Sequence, residues 1–212
     1  MTEERPEGRT GPIRVVYAED QTLLRGAVVA LLNMEDDIEV VAEVERGGEV
    51  IPAVKRTEPD VVLLDIELPG VNGLEVAGEL REMGFPGRTV IVTTFDRPGY
   101  LQRALEVQVD GFLLKNAPVA DFARNIRRIM AGERLLDPDL VAASVVEGRS
   151  PLTDREREVL RASGSNATVV ELADELHLSP GTVRNHLSSV IQKLGARNRA
   201  DAVRIAESKG WI

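Results

Sequence analysis

Val61-Val62-Leu63-Leu64-Asp65-Ile66-Glu67-Leu68-Pro69-Gly70 sets four consecutive apolar residues ahead of an acid and a Pro-Gly turn. A strand with one wet face alternates apolar with polar, so an unbroken apolar run belongs to a strand covered on both faces, as in a parallel sheet flanked by helices. Outward from this segment the signature recurs at Ile13 to Ala18, Glu39 to Val44, Thr89 to Thr93 and Gly111 to Leu114. Each run precedes a segment of helical period, near Thr22 to Asn33, Gly48 to Thr57, Gly73 to Met83, Pro98 to Gln108 and Val119 to Ala131. Five strand-helix repeats predict an α/β, doubly wound domain.

The residues just past each strand carry the chemistry. The first strand runs into Glu19-Asp20, the third into Asp65, the fourth into Thr93-Thr94 and the fifth into Lys115. Parallel strands bring their carboxyl ends to one edge, where open α/β sheets bind ligands. Three acids, a hydroxyl and an ammonium in one crevice combine hard oxygen ligands suited to Mg²⁺ with groups suited to phosphoryl oxygens. Acids after strands are commonly plain loop residues; the full set is what sets this edge apart.

Composition narrows the field. The chain has 212 residues, 43% hydrophobic and 29% charged, room for one or two domains. With no Cys, and with His177 and His186 as the two His, a disulfide scaffold, a thiolate metal site and a Ser-His-Asp hydrolase cannot be assembled. No apolar run approaches the roughly 18 residues that spanning needs, so no membrane insertion is expected. Residues 1–12 read as a flexible tail without a secretory signal, and a cytoplasmic location is the default.

The net charge of −9 is unevenly divided. Residues 1–147 hold 16 Lys and Arg against 27 Asp and Glu, net −11, whereas residues 148–212 hold 10 against 8, net +2. Between Glu175 and Asp201 there is no acid, only Arg184, Lys193, Arg197 and Arg199, a local basic surface. This last segment shows no β-rich run. Its periodic stretches are Asp154 to Ala162, Thr168 to Leu176, Pro180 to Leu194 and Arg199 to Lys209, an all-α domain of four helices. Thr153 with Glu156 reads as a capping box, and Ser179-Pro180 as an N-cap with Pro at the first helical position. Two short helices joined by His177-Leu178-Ser179 match a helix-turn-helix. Val183, Leu187, Val190, Ile191 and Leu194 are core by spacing. His186 and Trp211 read as packed side chains. Residues 132–150 read as a linker with a short helix near Leu140 to Val146.

Val15-Val16-Tyr17-Ala18-Glu19-Asp20, Val61 to Gly70 with Gly73, Ile91-Val92-Thr93-Thr94 and Gly111-Phe112-Leu113-Leu114-Lys115 resemble the receiver domain of two-component response regulators, over residues 13–131. Leu152-Thr153-Asp154-Arg155-Glu156-Arg157-Glu158-Val159-Leu160, Glu171-Leu172-Ala173, Leu178 to Leu187 and Lys193 to Arg199 resemble the LuxR-type helix-turn-helix domain, over residues 151–212. Together the halves are similar to the NarL/FixJ family, and Thr93 to Ala104 with the Gly210-Trp211 ending to its DesR-like branch.

The resemblance implies a flavodoxin-like five-stranded sheet of order 2-1-3-4-5. It implies that Asp65 accepts a phosphoryl group from a phosphohistidine on a sensor histidine kinase, with Mg²⁺ held by Asp20, Asp65, the carbonyl of Glu67 and, through water, Glu19. Lys115 and Thr93 would hold phosphoryl oxygens, Thr93 and Phe112 would shift inward as the switch, and Glu67 and Thr94 would gate water attack. Lys115 is followed by Asn116-Ala117-Pro118, as in that branch. Pro69, Gly70 and Gly73 are read as turn scaffold. In the output domain Arg184, Asn185 and Ser188 would read bases of a double-stranded operator, and Thr182, Lys193, Arg197 and Asn198 would hold phosphates. One departure from that family's pattern, Ser163-Gly164-Ser165-Asn166-Ala167-Thr168 before the scaffold helix, bears on any phosphate contact by Asn166.

The implied protein is a phosphoacceptor regulator rather than an enzyme, at most slowly self-dephosphorylating, and a homodimer when phosphorylated. Two other classes share parts of the pattern. An aspartyl-phosphate phosphohydrolase uses the same acids and Lys, with its nucleophile after the first strand. A small-molecule-gated LuxR-type regulator needs an apolar pocket, against which the 3% aromatic content and the acidic edge argue.

Overall fold

In the computed structural model, which describes residues 11–94, 98–115, 120–136, 150–165 and 167–212, the described residues up to Met130 build one parallel sheet and the helices that flank it. Its strands are β1 (Ile13–Ala18), β2 (Ile38–Val44), β3 (Val61–Asp65), β4 (Arg88–Thr93) and β5 (Gly111–Leu114), in the order β2-β1-β3-β4-β5. The helices between and after them are α1 (Thr22–Leu32), α2 (Gly47–Thr57), α3 (Gly73–Glu82), α4 (Pro98–Glu106) and α5 (Ala120–Met130).

Strand alternation sorts the core. Val15 and Tyr17 of β1, with Val61, Leu63, Val90 and Val92, pack with Val28 and Leu32 of α1 and Ile126 and Ile129 of α5. The intervening Val16, Val62, Leu64 and Ile91 are equally buried, as are Val50 and Val54 of α2 and Leu74 and Leu80 of α3. A sheet dry on both faces is what the four-residue apolar run at Val61 requires. The open edge of β5 is covered by one parallel bridge to Leu135, whose N–H donates to the Asp110 carbonyl (3.0 Å) and whose carbonyl accepts the Phe112 N–H (2.8 Å).

The register sets the functional edge. Ala18 pairs with Leu64, Asp65 with Val92 and Thr93 with Leu114, so Glu19, Asp65, Thr93 and Lys115 emerge at one level. The reversal of strand order falls between β1 and β3, which places the crevice where Glu19-Asp20 and Asp65 leave the sheet. β3 extends one residue beyond the expected end, because Asp65 still pairs with Val92; its backbone is therefore fixed by the sheet.

The second unit contains α6 (Asp154–Ala162), a 3₁₀ turn (Ser163–Ser165), α7 (Val169–Glu175), α8 (Pro180–Leu194) and α9 (Arg199–Ser208). Val159, Leu172, Ala173, Val183 and Leu187 form one buried cluster; Leu152, Leu160, Val190, Ala202 and Ala206 form another, against which Trp211, Ile191 and Leu194 pack. Capping boxes start α6 and α7, at Thr153/Glu156 and Thr168/Glu171, and Ser179 caps α8. His177 takes φ +52° at the end of α7 and turns the chain into α8. Most of the tail, most of the linker with the short helix expected in it, Asn116-Ala117-Pro118 and Asn166 lie outside the described residues.

Candidate functional site

The edge of the sheet holds a chain of buried charges. Lys115 Nζ lies 2.9 Å from Asp65 Oδ2 and 2.7 Å from Glu19 Oε2, and the three side chains are 5%, 4% and 0% exposed. Burial pushes the Asp65 carboxyl above its ordinary range, an effect opposed by Lys115 and by the backbone N–H groups of Glu67 and Ile66. For Lys115 burial alone pulls the ammonium down, but its bonds to Glu19 and Asp65 more than reverse this and hold it above its ordinary value. It therefore stays a cation beside the Asp65 oxygen.

Asp20 is exposed and completes the cluster. Ligand oxygens of Glu19, Asp20 and Asp65 lie within 4.8 Å of one another. Three carboxylates against one ammonium leave a formal excess of two negative charges, and an all-oxygen donor set of that charge fits a hard divalent cation such as Mg²⁺. The oxygens of Glu19 already accept from Tyr17, Lys115 and the Gln21 N–H, which suits it to contact through water rather than directly.

The loop after Asp65 is shaped by two glycines for different reasons. Gly70 has φ +86°. Gly73, at the first position of α3, donates its N–H to the Ile66 carbonyl at 3.0 Å, and a Cβ there would meet the Asp65 carbonyl oxygen at 2.0 Å. Close approach, not positive φ, is what this position demands. Thr93 is buried, Thr94 and Glu67 are exposed, and the Phe112 ring is already inside, 5% exposed.

On the second unit α8 separates two faces. Val183, Leu187 and Val190 are buried; Arg184, Asn185 and Ser188 are exposed together with Gln192, at one, four and eight residues past Arg184, a single stripe of a 3.6-residue helix. The four residues expected to hold phosphates all have partners within the unit. Thr182 shares a 2.9 Å hydrogen bond with the Ser179 hydroxyl, Arg197 Nε lies 3.2 Å from Asp201, and the Asn198 side-chain carbonyl oxygen accepts the Asp201 N–H at 2.9 Å as the N-cap of α9. Lys193 Nζ lies 2.6 Å from Glu156 Oε2, and the Ser189 hydroxyl donates to Glu156 Oε1 at 2.6 Å.

Glu156 is the residue that its sequence context undervalues. Besides closing the box at Thr153 it ties α6 to α8. Burial pushes its carboxyl up, but Lys193, Ser189 and Thr153 together hold it down to about 2. No local signal marks it, since Ser189 and Lys193 merely continue a polar stripe of α8 with Thr182 and His186.

Known proteins share both halves of this arrangement. The family of response regulator receiver domains matches residues 15–127, and the family described as bacterial regulatory proteins, luxR family, matches residues 150–206. The transcriptional regulatory protein DesR and the uncharacterized transcriptional regulatory protein YvfU, both of Bacillus subtilis (strain 168), are each 44% identical over 200 residues, covering 94% of this chain and 99% and 100% of theirs. The crystal structure of the response regulator ChrA of a heme-sensing two-component system aligns at TM-score 0.55 and 31% identity, covering 96% of this chain and all of that one. RcsB of Salmonella enterica serovar Typhimurium, bound to promoter rprA in the presence of the phosphomimetic BeF3−, shares the fold at TM-score 0.68 and 21% identity, covering 93% and 100%.

Proposed function

Because this chain belongs to the two-component response regulators that join a receiver domain to a LuxR-type DNA-binding domain, we propose that Asp65 is its phosphoacceptor and that the aspartyl phosphate controls operator binding by α8. The observation that carries this is the buried chain Glu19–Lys115–Asp65 at the switch point of the sheet. One Asp65 oxygen attacks phosphorus, a new P–O bond forms, and the P–N bond to the kinase imidazole breaks with the electron pair returning to nitrogen. Lys115, held protonated beside that oxygen, takes a phosphoryl oxygen as a point charge, and Thr93 supplies a hydroxyl donor. Asp20, Asp65 and the Glu67 carbonyl, with Glu19 through water, would hold Mg²⁺, which would supply positive charge to offset repulsion between carboxylate and phosphoryl group.

We assign the receiver to residues 13–131, the linker to 132–150 and the DNA-binding domain to 151–212. Arg184, Asn185 and Ser188 face base edges and Thr182, Lys193, Arg197 and Asn198 the backbone, in a dimer whose half-sites lie about one helical turn apart. The DNA-bound state of RcsB supports a DNA target for this fold. The donor is a sensor histidine kinase, and the regulator works in the cytoplasm; no helix among the described residues is long and apolar enough to cross a membrane. Self-dephosphorylation is slow and set by Glu67 and Thr94. Acetyl phosphate with Mg²⁺ is expected to label Asp65, located by peptide mass spectrometry, and to shift the protein to a dimer in sedimentation. Labelling that persists in Asp65→Ala would contradict the assignment.

A further inference from the structure

Glu19 is gripped from four directions. Its Oε2 accepts the Tyr17 hydroxyl at 3.1 Å and Lys115 at 2.7 Å, and its Oε1 accepts the Gln21 N–H at 3.2 Å. Its main-chain oxygen accepts Arg25 Nη1 at 2.7 Å, and Arg25 is itself fixed by Glu45 at 2.5 Å and Glu43 at 3.5 Å at the end of β2. The backbone of this corner is thus set by Arg25 and the carboxylate plane by the side chains.

Among these partners Tyr17 has no other task. Two residues before Glu19 on β1, it lies on the same face of the strand, fully buried, with its ring packed among Val15, Val61 and Leu63. A Phe ring would fill that space, and a buried hydroxyl is costly unless it is bonded. Its single polar atom meets Glu19. Lys115 divides its ammonium between Glu19 and Asp65, and so cannot alone fix how the Glu19 carboxylate is turned. The Tyr17 hydroxyl adds a second hold on Oε2, opposite the Gln21 N–H on Oε1.

We propose that Tyr17 is a positioning residue for divalent-cation binding, its hydroxyl holding Glu19 in the orientation that serves Asp20 and Asp65. This rests on the cation-dependent phosphoacceptor reading above. Groups that orient metal ligands from outside typically change affinity about 10–100-fold when removed, and because Glu19 keeps two other side-chain bonds the lower end is expected here.

The test is a MgCl2 titration of the full-length chain and its Tyr17→Phe variant, followed by amide resonances of Asp65, Ile66 and Glu67, beside acetyl phosphate labelling across the same Mg²⁺ range. The variant is expected to need about tenfold more Mg²⁺ for half-saturation by both readouts, while its labelling rate at saturating Mg²⁺ stays within about twofold of the parent. Equal half-saturation in the two proteins overturns the proposal. So does a labelling rate lowered equally at every Mg²⁺ concentration, which is the mark of a structural role alone. If the parent itself shows no saturable response to Mg²⁺, the cation reading falls and this inference with it. A parent that binds while the variant binds equally well removes only Tyr17.

Discussion

At the edge of the sheet the charged side chains, Asp20 apart, are inside, and on α8 the polar stripe is outside. Glu19, Asp65 and Lys115 are almost fully buried and joined through the Lys115 ammonium, so each takes its position from the others. Arg184, Asn185 and Ser188 stand in solvent, while a carboxylate buried in that unit, Glu156, serves the framework. Burial makes the partner decide what a charge does, because a desolvated ion without one is costly. Exposure leaves an ion cheap and available to an outside ligand. Substitutions in the first region should therefore disturb chemistry and stability together, and those on the α8 stripe should disturb binding alone.

The largest break is expected from Lys115→Ala. It leaves Asp65 and Glu19 as neighbouring buried carboxylates, and removing one partner of a buried pair costs about 3–5 kcal/mol. Acetyl phosphate labelling of Asp65 should fall about 100-fold or more, since a charge-assisted contact to the transferred group is lost. A carboxyl whose folded pKa is raised lends stability below its ordinary value and loses it as pH rises through the raised one; the Asp65 carboxyl is already raised and rises further without Lys115. The deficit in denaturant unfolding should therefore be larger at neutral pH than in mild acid.

Next comes Arg184→Ala, expected to weaken binding to a site selected from random DNA by about 1–3 kcal/mol with an unchanged thermal midpoint. A lowered midpoint would mean that Arg184 is part of the framework. Glu156→Gln should cost about 1–3 kcal/mol of stability at neutral pH. Glu156 has its carboxyl held down to about 2 from 4.5, so its contribution is present above 4.5 and lost as pH falls toward 2, and parent and variant unfolding curves should converge there. The smallest and sharpest contrast is at Asn198. Asn198→Ala removes the cap of α9 and should cost about 1 kcal/mol, whereas Asn198→Asp keeps the cap and adds a negative charge. If Asn198 also meets a phosphate, the Asp variant melts like the parent yet binds DNA more weakly. Equal DNA affinity would confine Asn198 to capping.

Most of the acidic corner was legible because each polar residue comes directly after an apolar strand, and parallel order sends all such residues to one edge. Asp65, Glu19, Asp20, Thr93 and Lys115 could be found that way without knowing a single contact. Tyr17 and Arg25 could not. A Tyr in a β-branched run reads as packing, and an Arg in a helix reads as solvated, until β2 brings Glu43 and Glu45 around it. Gly73 was legible as scaffold but not its reason, the 2.0 Å approach a Cβ would make to the Asp65 carbonyl oxygen. In the output unit the helix starts were readable from Thr153, Glu156 and Ser179. The engagement of Lys193 was not, since its partner lies 37 residues away on another helix.

Coupling of Asp65 phosphorylation to DNA binding is tested most directly by one comparison: the affinity of the full-length protein for a selected DNA site, before and after acetyl phosphate treatment with Mg²⁺, in the parent and in Asp65→Ala. Coupling between two sites is typically worth about 5- to 150-fold, so the parent should bind at least about fivefold more tightly after treatment and Asp65→Ala should not change. Equal affinity before and after in the parent, or the same gain in Asp65→Ala, would contradict it.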